Sequence, residues 1–231
     1  MAPSEAPEGM ASGETAVVET LKSAEPSPSK EHKAAGVNEK VVLPWHLHWD
    51  GHRMTDDEVV SFLRLLVSAG ADTTYHLLGS MLAIGLRDPA LLERLDGERE
   101  RIDDYVLETL RYESPISTIP REVMVDTRLG DVELTAGADV LVHLGSANRD
   151  ETHYTDPDVF DLDRDTSDHL GFGIGRHFCA GSRLALLEAR IGFEVLLDRL
   201  KELRLAPGEP AEIIGFAFRG PSRLPVSFRA V

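Results

Sequence analysis

Cysteine is almost absent: Cys179 is the single thiol in 231 residues, so no intrachain disulfide can form. Such sparing use fits a reducing compartment, and a cytoplasmic location is expected. Positive charge is also scarce. With 24 Lys and Arg against 40 Asp and Glu, the net charge of −16 argues against wrapping nucleic acid or adhering by charge to an anionic membrane. Long uncharged apolar runs are missing too. The most apolar long window, residues 62–86, carries Arg64, Asp72 and His76. Each of these, when ionised, costs about 2.5–3.5 kcal/mol at a bilayer centre, so no membrane anchor is expected. Residues 1–20 lack the basic start and apolar run of a secretory leader, and none is expected. Aromatic residues are absent from residues 1–44, where Pro3, Pro7, Pro26, Pro28 and Pro44 are scattered among Ala, Ser, Glu and Lys. That segment cannot bury enough apolar surface to offset its ordering entropy and is read as disordered and of low complexity. All the aromatics lie at Trp45 or later, and residues 45–231 are the folded candidate.

What is present reads as helix-dominated with small sheets, a mainly α, α+β chain. Thr55 and Glu58 form a capping box at the start of a long helix. From Val59 to Leu86 it is apolar nearly all round, which predicts a buried helix. Asp88-Pro89 starts a short helix, and a third runs from about Glu98 to Tyr112, stopping before Pro115. Strands are predicted at Arg121–Thr127, Val132–Leu134 and Asp139–His143, then a long loop over 148–170. A last helix from about Ala180 to Leu200 precedes strand-like pieces at Ile213–Phe218 and Pro225–Arg229.

The stretch Phe172-Gly173-Ile174-Gly175-Arg176-His177-Phe178-Cys179-Ala180-Gly181 is the most informative. Its three glycines permit a tight backbone path and close approach to a flat ligand. Cys179 falls at a helix start, where unpaired N–H groups favour a thiolate, a soft and strongly donating metal ligand. By itself this cysteine reads first as a small buried free Cys at a helix start. Zinc needs three or four ligands, and His169, His177 and Cys179 are at most three with irregular spacing. Two further patterns stand out. Ala69-Gly70-Ala71-Asp72-Thr73-Thr74 sets an acid beside an alcohol in the middle of the long helix, after a glycine that costs about 1 kcal/mol there. An acid–alcohol pair suits proton delivery, although the same residues could serve a packing kink with a solvent-facing Asp. Glu108-Thr109-Leu110-Arg111 places opposite charges three apart on one helix face, a pattern common at surfaces.

The ten-residue stretch resembles the haem-binding loop of the cytochrome P450 family, Phe-Gly-x-Gly-x-His-x-Cys-x-Gly, with no departure. The resemblance implies a cytochrome P450 fold lacking its N-terminal side. It implies haem b with Cys179 as axial iron ligand, Phe172 packed beside the sulfur, and His177 and Arg121 reaching haem propionates. Asp72 and Thr73 match the family's oxygen-activation motif and would relay protons, with Ala69 and Gly70 lining the oxygen groove. Glu108 and Arg111 match its buried ion pair, with Arg164 as third member. Ile116, Ile119 and Phe216 would border the substrate space. Arg176, Arg183 and Arg190 would form a basic patch for an acidic ferredoxin or similar donor.

The function so implied is a haem-thiolate monooxygenase. It inserts one oxygen atom from O2 into a small organic substrate, with electrons from NAD(P)H passed through a redox partner. The resemblance covers about Asp50 to Val231. Family chains are longer, and the part upstream would supply lid helices and most substrate-reading loops. The alternative expectation is therefore a truncated, inactive relative that binds haem weakly or not at all.

Overall fold

The computed structural model describes residues 54–230, together with the backbone of three short strands before them. Among these, β1 (Thr15–Glu19), β2 (His48–Trp49) and β3 (His52–Arg53) precede the long helix α1 (Asp56–Arg87). There follow α2 (Pro89–Gly97), α3 (Ile102–Tyr112), β4 (Thr118–Glu122), β5 (Thr127–Leu129), β6 (Val132–Leu134), β7 (Asp139–His143) and the single turn α4 (Leu144–Ala147). After a long loop come α5 (Ser182–Arg199), β8 (Leu200–Leu205), β9 (Ile213–Ile214), β10 (Gly220–Pro221) and β11 (Arg223–Ala230). The strands pair antiparallel into a three-stranded sheet, β1-β11-β8, and four two-stranded ribbons. The chain divides into two compact units, Thr20–Ala71 and Met1–Glu19 with Asp72–Val231.

Within Thr20–Ala71, β2 pairs with β3, and the first turns of α1 follow the capping box. Glu58 accepts from the Thr55 N–H at 2.7 Å while the Thr55 hydroxyl accepts from the Glu58 N–H at 3.3 Å, so two orphan donors are satisfied reciprocally. Burial of the long helix is confined to its second half, from Leu77 to Leu86, whereas Val60, Phe62, Leu63, Leu65, Leu66 and Val67 stay exposed. The expectation of a helix buried throughout is corrected here. An all-round apolar pattern states what a helix can bury, and the neighbouring elements decide how much of it is covered.

In the larger unit the core gathers Leu77, Met81 and Ile84 of α1, Leu95 of α2, Ile102, Tyr105, Val106 and Leu110 of α3, and Ala189, Phe193 and Leu197 of α5. Tyr105 sits between the rings of Phe160 and Phe193 and donates its hydroxyl to the Met81 carbonyl. Burial pushes its phenol far above the usual tyrosine range. Asp88 caps α2 by accepting from the Ala90 and Leu91 N–H groups, with Pro89 in the first turn. The predicted strand at Arg121–Thr127 starts earlier, at Thr118, because residues 118–122 find β7 as partner, and it breaks before a second strand at Thr127. The piece expected at Ile213–Phe218 shortens to Ile213–Ile214 and a turn. β8 was not anticipated, although half-buried Leu203 and Leu205 alternate with exposed neighbours there as an edge strand requires. Within the segment read as disordered, Thr15–Glu19 pairs with β11, as its Ala-Val-Val run permits. The rest of residues 1–44 lies outside the described residues.

Candidate functional site

The glycine-rich stretch folds as a closed loop before α5. The Cys179 N–H donates to the Phe172 carbonyl at 2.9 Å, and the Phe178 N–H to the Gly175 carbonyl at 3.0 Å. Gly173 and Gly175 hold φ of +71° and +70°, a region side chains disfavour, so the path depends on glycine. The helix begins at Ser182 rather than Ala180, with Gly181 as its cap and the Cys179 carbonyl accepting from the Ser182 N–H. A Cβ on Gly181 would lie 3.9 Å from the Cys179 sulfur, which places that sulfur over the helix entrance. Phe172 packs on the core and lies edge-on to Phe178 at 6.3 Å, while His177 and Arg176 are exposed.

Behind the loop is the charge cluster. Arg111, 0% exposed, donates Nε and one terminal nitrogen to the two carboxylate oxygens of Glu108, both at 2.7 Å. Arg164 Nε adds a bond to Glu108 at 3.3 Å, and the Asp161 N–H another at 2.9 Å. The remaining Arg111 donors reach the carbonyls of Asn148, Pro157 and Val159, and Arg164 reaches those of Thr155, Asp156 and Val159. The 148–170 loop is ordered because these guanidinium groups satisfy its carbonyls. Asn148, fully buried, then accepts from the Leu170 N–H at 2.7 Å. Gly171 packs so closely on α3 that a Cβ would stand 2.9 Å from the Leu110 carbonyl oxygen. Sequence reasoning named Glu108, Arg111 and Arg164 but missed Asn148 and Gly171, which tie the cluster to the cysteine loop. At the loop's outer edge Tyr154 donates to Asp168, and burial together with that carboxylate pushes its phenol up to about 12.

The other expected residues fall as follows. Asp72 is exposed and Thr73 half-buried on α1, one turn before burial sets in at Leu77. Ala69 and Gly70 precede them, and a Cβ on Gly70 would meet nothing within 4 Å. Arg121 projects from β4, exposed, with its guanidinium bonded only to the Pro120 carbonyl among the described residues. Ile116 bridges Phe218, next to Phe216, whereas Ile119 pairs with Val142 in the β4–β7 ribbon. Of the three arginines of the expected basic patch, Arg190 is paired with Asp103 at 2.8 Å and Glu194 at 3.1 Å. Arg176 and Arg183 are exposed with no carboxylate in ion-pair range among the described residues. Sequence reasoning also missed a second charge cluster, in which Glu113 binds both Arg149 and Arg219.

The family model described as cytochrome P450 matches residues 46–214. The chain belongs to the cytochrome P450 family. Cytochrome P450 107B1 of Saccharopolyspora erythraea is 39% identical over 180 residues, which are 77% of this chain and 44% of that protein. The biotin biosynthesis cytochrome P450 of Bacillus subtilis is 40% identical over 176 residues, 76% of this chain and 45% of that protein. Among solved structures, a cytochrome P450 from Chondromyces apiculatus aligns with a TM-score of 0.75 at 40% identity, covering 80% of this chain and 48% of its own. The chain thus spans about half the length of the P450 relatives it matches.

Membership implies a haem-thiolate group, and the residues present fit one. Among the described residues no group of three or more His, Cys, Asp or Glu could hold a bare metal ion. A single sulfur suits an iron whose other positions a macrocycle already fills. A Cβ on Gly175 would meet nothing within 4 Å, so the loop is open at that point, and Arg121 and His177 are exposed cationic or donor groups without a carboxylate partner among the described residues. No helix among the described residues is long and apolar enough to cross a membrane.

Proposed function

We propose that this chain is the thiolate-bearing half of a haem monooxygenase that inserts one atom of O2 into a small organic substrate. The carrying observation is the closed glycine loop that sets one sulfur over the entrance of α5, braced from behind by the buried Glu108 cluster. Haem, when bound, supplies the oxygen activation and transfer. Cys179 would hold the iron through its sulfur. Arg121 offers a fork that matches a propionate carboxylate, and His177 offers a ring donor to the other. Asp72, exposed to water, takes up protons, and the Thr73 hydroxyl beside it passes them inward. Ala69 and Gly70 leave room for oxygen, and Ile116, Ile119 and Phe216 border the substrate. Electrons come from NAD(P)H through a small acidic ferredoxin-like protein that docks on Arg176 and Arg183 by long-range attraction. Relatives are named for substrates as different as a steroid and cyclomarin C, so the matched residues serve the shared chemistry rather than one substrate.

A second reading is an inert relative that holds haem loosely or not at all. The reduced, CO-treated absorption spectrum separates the two. The monooxygenase reading expects a thiolate signature in the parent that Cys179→Ser abolishes. A signature unchanged by that substitution refutes Cys179 as ligand, and a parent that takes up no haem establishes the inert reading.

A further inference from the structure

The turn between β9 and β10 is built more firmly than its exposure calls for. Its tip is apolar and open: Phe216 and Phe218 are 65% and 54% exposed, and Phe216 lies edge-on to His143 at 6.2 Å. A surface turn with an unburied tip has little to hold it. Here the base is held by a carboxylate that is only 9% exposed. Glu113 accepts from Arg219 Nε at 3.0 Å and from a terminal nitrogen of Arg219 at 2.9 Å. The remaining arm of the same guanidinium donates to the Gly215 carbonyl at 2.9 Å and closes the turn. Gly215 sits at φ +109°, where a side chain would collide with the Phe218 carbonyl. The Arg219 N–H donates to the Pro115 carbonyl at 2.9 Å, and the Ala217 carbonyl accepts from the Ser117 N–H at 2.8 Å. Gly220 then presses on α1, since a Cβ there would overlap the His76 ring. Glu113 directly follows α3, so the turn is fastened to the helix that carries the Glu108–Arg111 pair.

Burying a carboxylate is costly, and a buried ion pair adds little net stability over apolar packing. Its best-attested use is to select one geometry among several, which is what an open aromatic tip needs if it must stand at a fixed place. We propose that Glu113 and Arg219 are positioning residues that fix the Phe216–Phe218 tip, and through it the placement of the apolar body of a ligand. The step from tip to ligand rests on the reading of Phe216 as a border of the substrate space. Arg219 acts by its fork: one planar group serves the carboxylate and the Gly215 carbonyl together, which a lysine cannot do.

The test uses the full chain with Arg219→Lys and, separately, Glu113→Gln. Hydrogen exchange of the Ser117 and Arg219 amides, whose bonds to the Ala217 and Pro115 carbonyls seat the turn, should quicken about tenfold in both variants while the α3 amides keep their protection. Unchanged exchange of those two amides overturns the clamp. A rise that spreads equally through α3 overturns it as well, because the pair would then serve general stability. In the haem-loaded protein, the Kd of 4-phenylimidazole should rise about tenfold in Arg219→Lys while that of imidazole, which lacks the apolar ring the tip would meet, stays unchanged. Faster exchange of those two amides with both Kd values unchanged overturns the link to ligand placement. Failure of the parent to bind imidazole at all would count against the haem reading, and the exchange arm would still decide the clamp.

Discussion

Glu108→Gln should be among the most damaging single substitutions in this chain. The carboxylate accepts four bonds: two from Arg111 at 2.7 Å, one from Arg164 at 3.3 Å and one from the Asp161 N–H at 2.9 Å. A glutamine has one oxygen and one NH2 group. Its oxygen can keep the side facing Asp161, but its amide then meets the Arg111 Nε–H donor to donor. The full charge of Arg111, which has no exposed surface, loses its counter-charge. Stranding a buried charge costs about 3–5 kcal/mol. At about 2–4 °C per kcal/mol for a chain of this size, Tm should fall by roughly 6–20 °C. Far-UV circular dichroism melts of parent and variant measure it. Arg164→Ala is the comparator. It removes one long bond to Glu108, and water can reach the exposed carbonyls it releases, so about 1 kcal/mol is expected. The double substitution Glu108→Leu with Arg111→Met removes both charges of the bidentate pair, leaving Arg164 with its carbonyl partners, and should cost less than the sum of the two single ones. A loss below about 1 kcal/mol for Glu108→Gln, or strict additivity in the double, would refute the argument that this pair holds the core.

Three further outcomes follow from the same geometry. Gly171→Ala drives a Cβ to 2.9 Å from a backbone oxygen that cannot move aside, so it should destabilise by about 1–3 kcal/mol and weaken haem retention, read by melts and by haem titration. Burial holds His169 below the usual 6.5, and its Nδ1 accepts from the Gly171 N–H at 3.0 Å. The unfolded chain therefore gains the proton first as pH falls through 6.5, and stability is lost below that point; Tm measured from about pH 7 to about pH 5.5 should fall more steeply for the parent than for His169→Asn. For electron transfer, Arg176→Glu should slow reduction by an acidic ferredoxin at low salt. Arg190→Gln should slow it less, because it changes the local charge by one rather than two and Arg190 is tied to Asp103 and Glu194; equal effects from both would return Arg190 to the docking patch.

How much was legible depended on the range of the forces involved. Local chemistry was readable: the Thr55–Glu58 box, the Asp88 cap and the helix stop before Pro115 were expected and are present, within a residue or two at the ends. Contiguous motifs were readable as well, since Cys179 and its glycines must lie together wherever the loop goes. Failures came where partners are remote. Val60 to Val67 looked buried because a sequence shows apolar periodicity but not what covers it. Arg183 and Arg190 do lie on one helix, yet Asp103, from α3, decides that the second is tied up in ion pairs while the first has no carboxylate in range among the described residues. Nothing around Asn148, Glu113 or Arg219 marks them locally, and each is defined by contacts at least 22 residues away.

Those remote contacts also change what the Glu108 pair is for. Arg111 donates to the Asn148 backbone carbonyl, while the Asn148 side chain accepts from Leu170 and donates to Ser114. Leu170 and Gly171 lead directly into Phe172, whose carbonyl receives the Cys179 N–H. The pair is thus three bonded steps from the sulfur, and every step is a short hydrogen bond or a backbone contact rather than a mobile side-chain packing. Displacing Arg111 moves Asn148, which releases the entry of the loop. Loss of this arginine should therefore be felt at Cys179 before the fold is lost. In a urea titration monitored both by haem absorbance and by helix content, Arg111→Met should shed its haem at a lower denaturant concentration than that at which its helices melt. In the parent the two transitions should lie closer together. Coincident transitions in the variant would show that the cluster supports the fold alone and does not hold the cysteine loop.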